Sequence, residues 1–361
     1  MLYLGIFFKA HDESGSIAKA GYVVGLCGLM GAFSAGIRGA IIDRYGQRLP
    51  LRIIAPIYAG LIFGMATTSD YQTLLIFALL MGSTAPPINL SVRPLWKFAV
   101  SEELLRSTYA LDTAFISFAS VIGPVLATTI ALNLSPSIAL IVCGILITIG
   151  GVAISFSSLL HNWVPEVKED TDLKLLRVPA IQALATERTI VGIGIGAFNI
   201  AVPAYAKLEG VPGNAALVLS ALALSNFSGG LFVGIRLRHV SPLKGYLRNY
   251  KFYLLAVLPL ALTSPEHSMI FIAAFMGFAI GIQQVFFWEI TELVRPRGTA
   301  VQALGWLWTF EGTAIAFGSA VSGVLIEAFG AQFSLLLTTF SVMLGYTVIW
   351  ASQKKFQPSH I

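Results

Sequence analysis

Few residues in this chain could do chemistry, and they fall into three groups. The first is a lone acid, Glu311, inside the apolar run "WTFEGTAIA". An ionised carboxylate is costly among apolar residues, so Glu311 should face protein or water. It is a candidate carrier of a coupling proton; the plainer role is a neutral side chain tying two helices together. The second group is "GAIIDRYGQR", Gly39–Arg48. Gly39 lets a helix end approach a neighbour closely. Asp43 can face the positive end of a helix dipole or an arginine. Gly46 can take positive φ and turn the chain. Arg44 and Arg48 can pair with carboxylates or lipid phosphates.

The third group is a pattern. Helical spacing of 0, +4, +7 and +11 marks one face. It collects Gly82, Pro86, Asn89 and Arg93 in one apolar segment. It collects Gly192, Gly196, Asn199 and Pro203 in a second, and Gly277, Gly281, Gln284 and Trp288 in a third. Each stripe joins small or kinking residues to an amide. Helix packing explains the glycines; a polar cavity better explains three amides at one position.

The elements that must carry these residues follow from composition. The chain is 56% hydrophobic and only 11% charged, against about 25% charged in soluble proteins. Apolar runs of about 20 residues recur, each long enough to cross a hydrocarbon core as a helix. Helices satisfy their own backbone in lipid, and the short alternating strands of a barrel are missing. The expected class is therefore an all-α integral membrane protein. Spans are expected near 17–38, 51–68, 72–94, 107–131, 136–159, 189–207, 214–235, 251–264, 268–290, 300–326 and 332–351. Met1–Phe8 is apolar but rises only about 12 Å as a helix, so it reads as the tail of a first span whose beginning is absent. His11, Asp12 and Glu13 then form an outside turn, where metal binding is a remote alternative.

Side can be assigned from basic residues. If the connection Gly39–Arg52 faces the cytoplasm and sides alternate, all Lys and Arg except Lys9, Lys19 and Lys207 fall inside. That asymmetry follows the positive-inside rule. The net charge of +5 thus reports topology rather than a nucleic-acid partner. It also supports the span count and a cytoplasmic C-terminus.

The "GAIIDRYGQR" segment resembles the loop signature of the major facilitator superfamily, G-x-x-x-D-R-x-G-R-R, which joins that family's second and third helices. Only Gln47 departs from the core of the pattern. "APPINLSVRPLW" (Ala85–Trp96), "TYALD" (Thr108–Asp112) and "IGPVLA" (Ile122–Ala127) resemble bacterial permeases of the same superfamily. The resemblance implies a 6+6 helical bundle with pseudo-two-fold halves. Residues 1–160 would be the N-terminal bundle, 161–188 a cytoplasmic linker and 189–361 the C-terminal bundle. In the family the loop Asp contacts the start of the eleventh helix, which puts Asp43 near Arg297–Thr299 as a gating contact. The equivalent place in the second half, Gly230–His239, carries Gly234 where the acid would be, so that contact is expected in the first half only. The resemblance also implies that helices four, seven and ten line a cavity, here through Asn89, Arg93, Asn199, Gln284 and Trp288. Gly123-Pro124 resembles a fragment of the family's antiporter motif. Asp112 reads as a structural ion pair with a neighbouring arginine, and Glu289 and Glu292 as members of gating or solvated pairs.

The function expected is secondary active transport of a small organic molecule by alternating access. It would draw on an ion gradient, expected to be protons, with efflux as one direction and import as the other. A non-transporting sensor or scaffold on the same fold is the rival. An enzyme lacks support: no Ser–His–acid set, phosphate loop or metal-ligand cluster is present, and Cys27 and Cys143 read as small packed hydrophobes. The expected setting is the cell membrane, as a monomer, with no cofactor and no nucleic acid.

Overall fold

The computed structural model describes residues 1–157, 175–211 and 213–356; of these, the side chains of residues 17, 18, 89, 117, 120, 121 and 155 lie outside the described set. Among the described residues every regular element is helical. The reason is the one composition supplies: an apolar chain in lipid must bond its backbone within each segment. The helices are α1 (Leu2–Ser14), α2 (Ile17–Tyr45), α3 (Arg48–Thr67), α4 (Tyr71–Thr84), α5 (Ile88–Ala99), α6 (Glu102–Asn133) and α7 (Pro136–Ser155). They continue with α8 (Pro179–Leu208), α9 (Asn214–Arg236), α10 (Pro242–Val257), α11 (Met269–Val294), α12 (Ala300–Phe329) and α13 (Ala331–Ala351). Eight of these are long and apolar enough to cross a membrane.

Local chemistry sets several boundaries. Asp70 starts α4 by accepting the Thr73 N–H at 2.8 Å and the Thr73 hydroxyl at 2.6 Å. Those two bonds hold its carboxyl below the usual carboxylate range. Ser135 caps α7, with Pro136 in the first turn where no N–H is needed. Gly15 and Gly46 close α1 and α2 at φ 62° and 79°.

Four expectations need correction. The segment near 72–94 is not one helix. Pro86 and Pro87 remove consecutive N–H donors and force the preceding Ala85 out of helical geometry, so α4 ends at Thr84 and α5 begins at Ile88. The face proposed through Gly82, Pro86, Asn89 and Arg93 is therefore broken in the middle. Residues 11–13, expected as an outside turn, are helical and form the last turn of α1, and buried Lys9 pairs with Glu13 at 2.6 Å. Helix α8 begins at Pro179 and α10 at Pro242, well before the apolar runs that marked them. Finally, Arg188, expected in the linker, is buried within helix α8.

The described residues form two compact units. One comprises those of Met1–Ala99, Ser120–Glu169 and Arg297–Thr309; the other those of Val100–Ala119, Asp170–Pro296 and Phe310–Ile361. The core of the first is built by Ile6, Val23, Ile62, Met65, Leu74 and Leu140, from α1, α2, α3, α4 and α7. In the second, α9 packs on α11 and α8 on α13. Glycines set the closest approaches. Gly229 lies against the Phe278 carbonyl, Gly277 against that of Leu222 and Gly281 against that of Asn226, and a methyl group on any of them would collide with backbone. Cys27 and Cys143 are free and buried, as small hydrophobes should be.

Candidate functional site

In the first unit, the end of α2 grips the start of α12. The Asp43 carboxylate accepts the Val301 N–H at 3.0 Å and the Gln302 N–H at 2.7 Å. Both donors lie in the first turn of α12, where no intrahelical acceptor exists and the dipole is positive. One turn earlier, a methyl group on Gly39 would come within 2.6 Å of the Val301 carbonyl oxygen. Gly36 lies equally close to the Trp306 ring, and Gly305 to the Ala35 carbonyl. The Thr309 hydroxyl donates to the Ala32 carbonyl at 2.5 Å. One face of α2, Ala32 to Asp43, thus seats three turns of α12. Asp43 meets the helix at Val301 and Gln302, just beyond the Arg297–Thr299 neighbourhood that the resemblance implied. Arg44 and Arg48 are exposed, and the Arg44 guanidinium stands 5.3 Å from the Tyr45 ring. Gln47 is fully buried, and neither atom of its amide is hydrogen-bonded.

In the second unit the corresponding place uses the opposite charge. Gly234 packs so close to α6 that a methyl group would stand 2.7 Å from the Ala110 Cβ. The cap is supplied from α6: Arg106 donates to the Leu237 and Arg238 carbonyls, at 2.5 and 2.6 Å. These acceptors follow the C-terminal end of α9, where the dipole is negative. The other edge of the same guanidinium grips both oxygens of Glu289 on α11, at 2.6 and 2.8 Å. The missing acid thus has a counterpart of reversed sign. No local pattern announces it, because Arg106 and Glu289 lie 183 positions apart.

The same unit contains a buried charge cluster. On α8, Glu187 is 1% exposed and Arg188 5%. Arg188 Nη1 donates to Glu311 Oε1 on α12 at 3.1 Å, and Nη2 to the Tyr246 hydroxyl of α10 at 3.2 Å. Its Nε lies 3.3 Å from Glu187 Oε2, with no hydrogen bond at either atom. The Tyr250 hydroxyl donates to Glu187 Oε1. The Phe287 ring of α11 lies 3.9 Å from the guanidinium carbon. Two carboxylates therefore share one guanidinium. Beside the cluster, Asn249 donates to Gln283 Oε1 at 2.6 Å and to the Ala279 carbonyl at 2.8 Å, tying α10 to α11. The sequence singled out Glu311 but assigned Glu187 and Arg188 to the linker, because the apolar run begins after them.

Gly82 packs on α2 against Cys27 and Met30. Gly192 and Gly196 pack on α12, against Glu311 and Ile315, so helix contact accounts for the stripe glycines. Asn199 and Pro203 are exposed, Gln284 is half-buried, and Trp288 and Arg93 are buried. The side chain of Asn89 lies outside the described residues. Asp112 is half-buried on α6. Glu292 pairs with Arg295 at 2.7 Å through both of its oxygens.

Comparison with known proteins identifies the fold. No curated protein sequence matches the chain. Among solved structures it is similar to a bacterial homologue of the iron transporter ferroportin in an outward-facing state: TM-score 0.74, 13% identity, covering 98% of each chain. It is also similar to the E. coli fucose:proton symporter FucP, with TM-score 0.74, 13% identity and 97% of each chain covered. The human organic anion transporter MFSD10 (TETRAN) matches with TM-score 0.66 and 15% identity, over 96% of this chain and 89% of that one. The family model described as Major Facilitator Superfamily matches residues 1–319, and the chain therefore belongs to the major facilitator superfamily of membrane transporters.

Proposed function

We propose that this multi-pass secondary transporter is proton-coupled, with Glu311 as the coupling site and the Asp43 contact as a gate. Membership of the family makes it a carrier of a small molecule across a lipid bilayer. What supports the coupling role is the count of charges around Arg188: two carboxylates on one buried guanidinium. A group of that composition is costly in a low-dielectric setting when both acids are ionised. Glu311, at 17% side-chain exposure against 1% for Glu187, is the more accessible of the two acids. It can therefore exchange the proton.

Asp43 supports the gating role because its two bonds end on backbone N–H groups of α12. Such a contact exists only while those helix ends adjoin, so it biases the conformational equilibrium of alternating access. Arg106 and Glu289 act in the same way at the end of α9. The cell membrane is the proposed location, with the C-terminus cytoplasmic. Arg93, Asn199, Gln284 and Trp288, with Asn89, are proposed to contact substrate as it passes. The test of coupling is flux driven by an imposed pH gradient in proteoliposomes. Glu311→Gln should lower it at least tenfold while leaving folding intact; undiminished proton-driven flux would reject the role.

A further inference from the structure

The geometry points to Arg188 as the recognition site for a substrate carboxylate, with Glu311 as the internal anion that the substrate displaces. The inference rests on the proton-coupled reading of Glu311 and adds the chemical class of the substrate. It is carried by a comparison within the chain. Arg106 and Arg295 each hold both oxygens of their glutamate, at 2.6 to 2.8 Å, the short range of charge-assisted bonds. Arg188 holds Glu311 by one oxygen, at 3.1 Å. Its contact with Tyr246 is longer still, and its Nε makes no hydrogen bond at all. A guanidinium whose planar fork suits two-oxygen pairing is thus buried but under-used. The Phe287 ring lies 3.9 Å from the guanidinium carbon and covers one side of the fork.

The surroundings decide which partner can leave. Glu187 is enclosed and takes a hydrogen bond from Tyr250. Tyr246 and Tyr253 of α10 are buried as well. Glu311 alone has an exposed edge. When an external carboxylate pairs with Arg188, Glu311 loses its counter-ion and must take a proton. One anion and one proton enter together, and the charge of the cluster stays constant. Substrate and proton are then carried in the same direction. The antiport suggested by Gly123-Pro124 would instead require them to compete.

The test uses the purified full chain in detergent and a panel of sodium pyruvate, benzoate and nicotinate, each beside its neutral amide. Thermal stabilisation is read at acid and alkaline pH. At least one carboxylate should stabilise the protein, more strongly at acid pH, and its amide should not. Arg188→Gln should abolish the effect. Glu311→Gln, which removes the resting anion, should tighten carboxylate binding roughly tenfold and remove its pH dependence. Should Arg188→Gln fail to fold, the Glu311→Gln result decides alone. Carboxylates and amides acting alike, no response across the panel, or weaker binding in Glu311→Gln would overturn the assignment. The two readings fail separately. Loss of proton-driven flux in Glu311→Gln without a carboxylate preference leaves coupling intact and removes the substrate class. Carboxylate binding with undiminished proton-driven flux in that variant does the reverse.

Discussion

Asp43 and Arg106 show one device in two polarities. Asp43 satisfies free N–H groups at the start of α12; Arg106 satisfies carbonyls at the end of α9. Each uses the sign that the helix dipole favours. Removing them should differ in cost. Asp43→Asn keeps an acceptor and loses the charge, so about 0.3–1 kcal/mol of the helix-end interaction should go. Asp43→Ala should cost about 1 kcal/mol or more, near the value of a lost cap. Denaturant titration of the purified protein gives that order, and equal effects would deny the charge a role. Arg106→Gln strands a largely buried Glu289, so it should destabilise more than the double variant Arg106→Gln/Glu289→Gln. A double-mutant cycle reads the coupling directly. Asp43 was legible in the sequence, because its glycines and arginines form a contiguous pattern. Arg106, Arg188 and Glu187 were not. Their partners are distant in the chain, and nothing local marks an arginine as buried.

Helices were legible where apolar runs are unbroken. Helix limits depart from the apolar runs where a helix buries a polar face. Tyr246, Asn249 and Tyr250 are buried on α10 although Lys244, Arg248 and Lys251 lower the apolar content of the same segment. Likewise Glu187 and Arg188 extend α8 below its apolar run. Pro86 and Pro87 interrupt the segment that the spacing Gly82, Pro86, Asn89, Arg93 runs across. Glycines separate packing from permissiveness. Gly196 faces the backbone of Ile315 and Ser319, whereas a methyl group on Gly60 would meet nothing within 4 Å. Gly196→Ala should lower the melting temperature by several degrees. Gly60→Ala should leave it unchanged or raise it slightly, through helix propensity. Parallel melting curves of the two variants check this, and equal curves would mean that α8 and α12 do not need their close approach.

At the scale of the molecule, fold and family were accessible from composition, the recurrence of spans and one loop pattern, and the structural comparisons agree with them. The proposed determinants of transport are a few side chains set against that apolar background. The central claim is that Glu311 exchanges the proton that drives substrate movement. Its most direct test is proton flux itself, followed with a pH-sensitive dye trapped in proteoliposomes. Substrate is added to the native protein and to Glu311→Gln under an imposed gradient. The account predicts substrate-dependent proton movement with the native chain and none with the variant. Equal proton movement by both would contradict it.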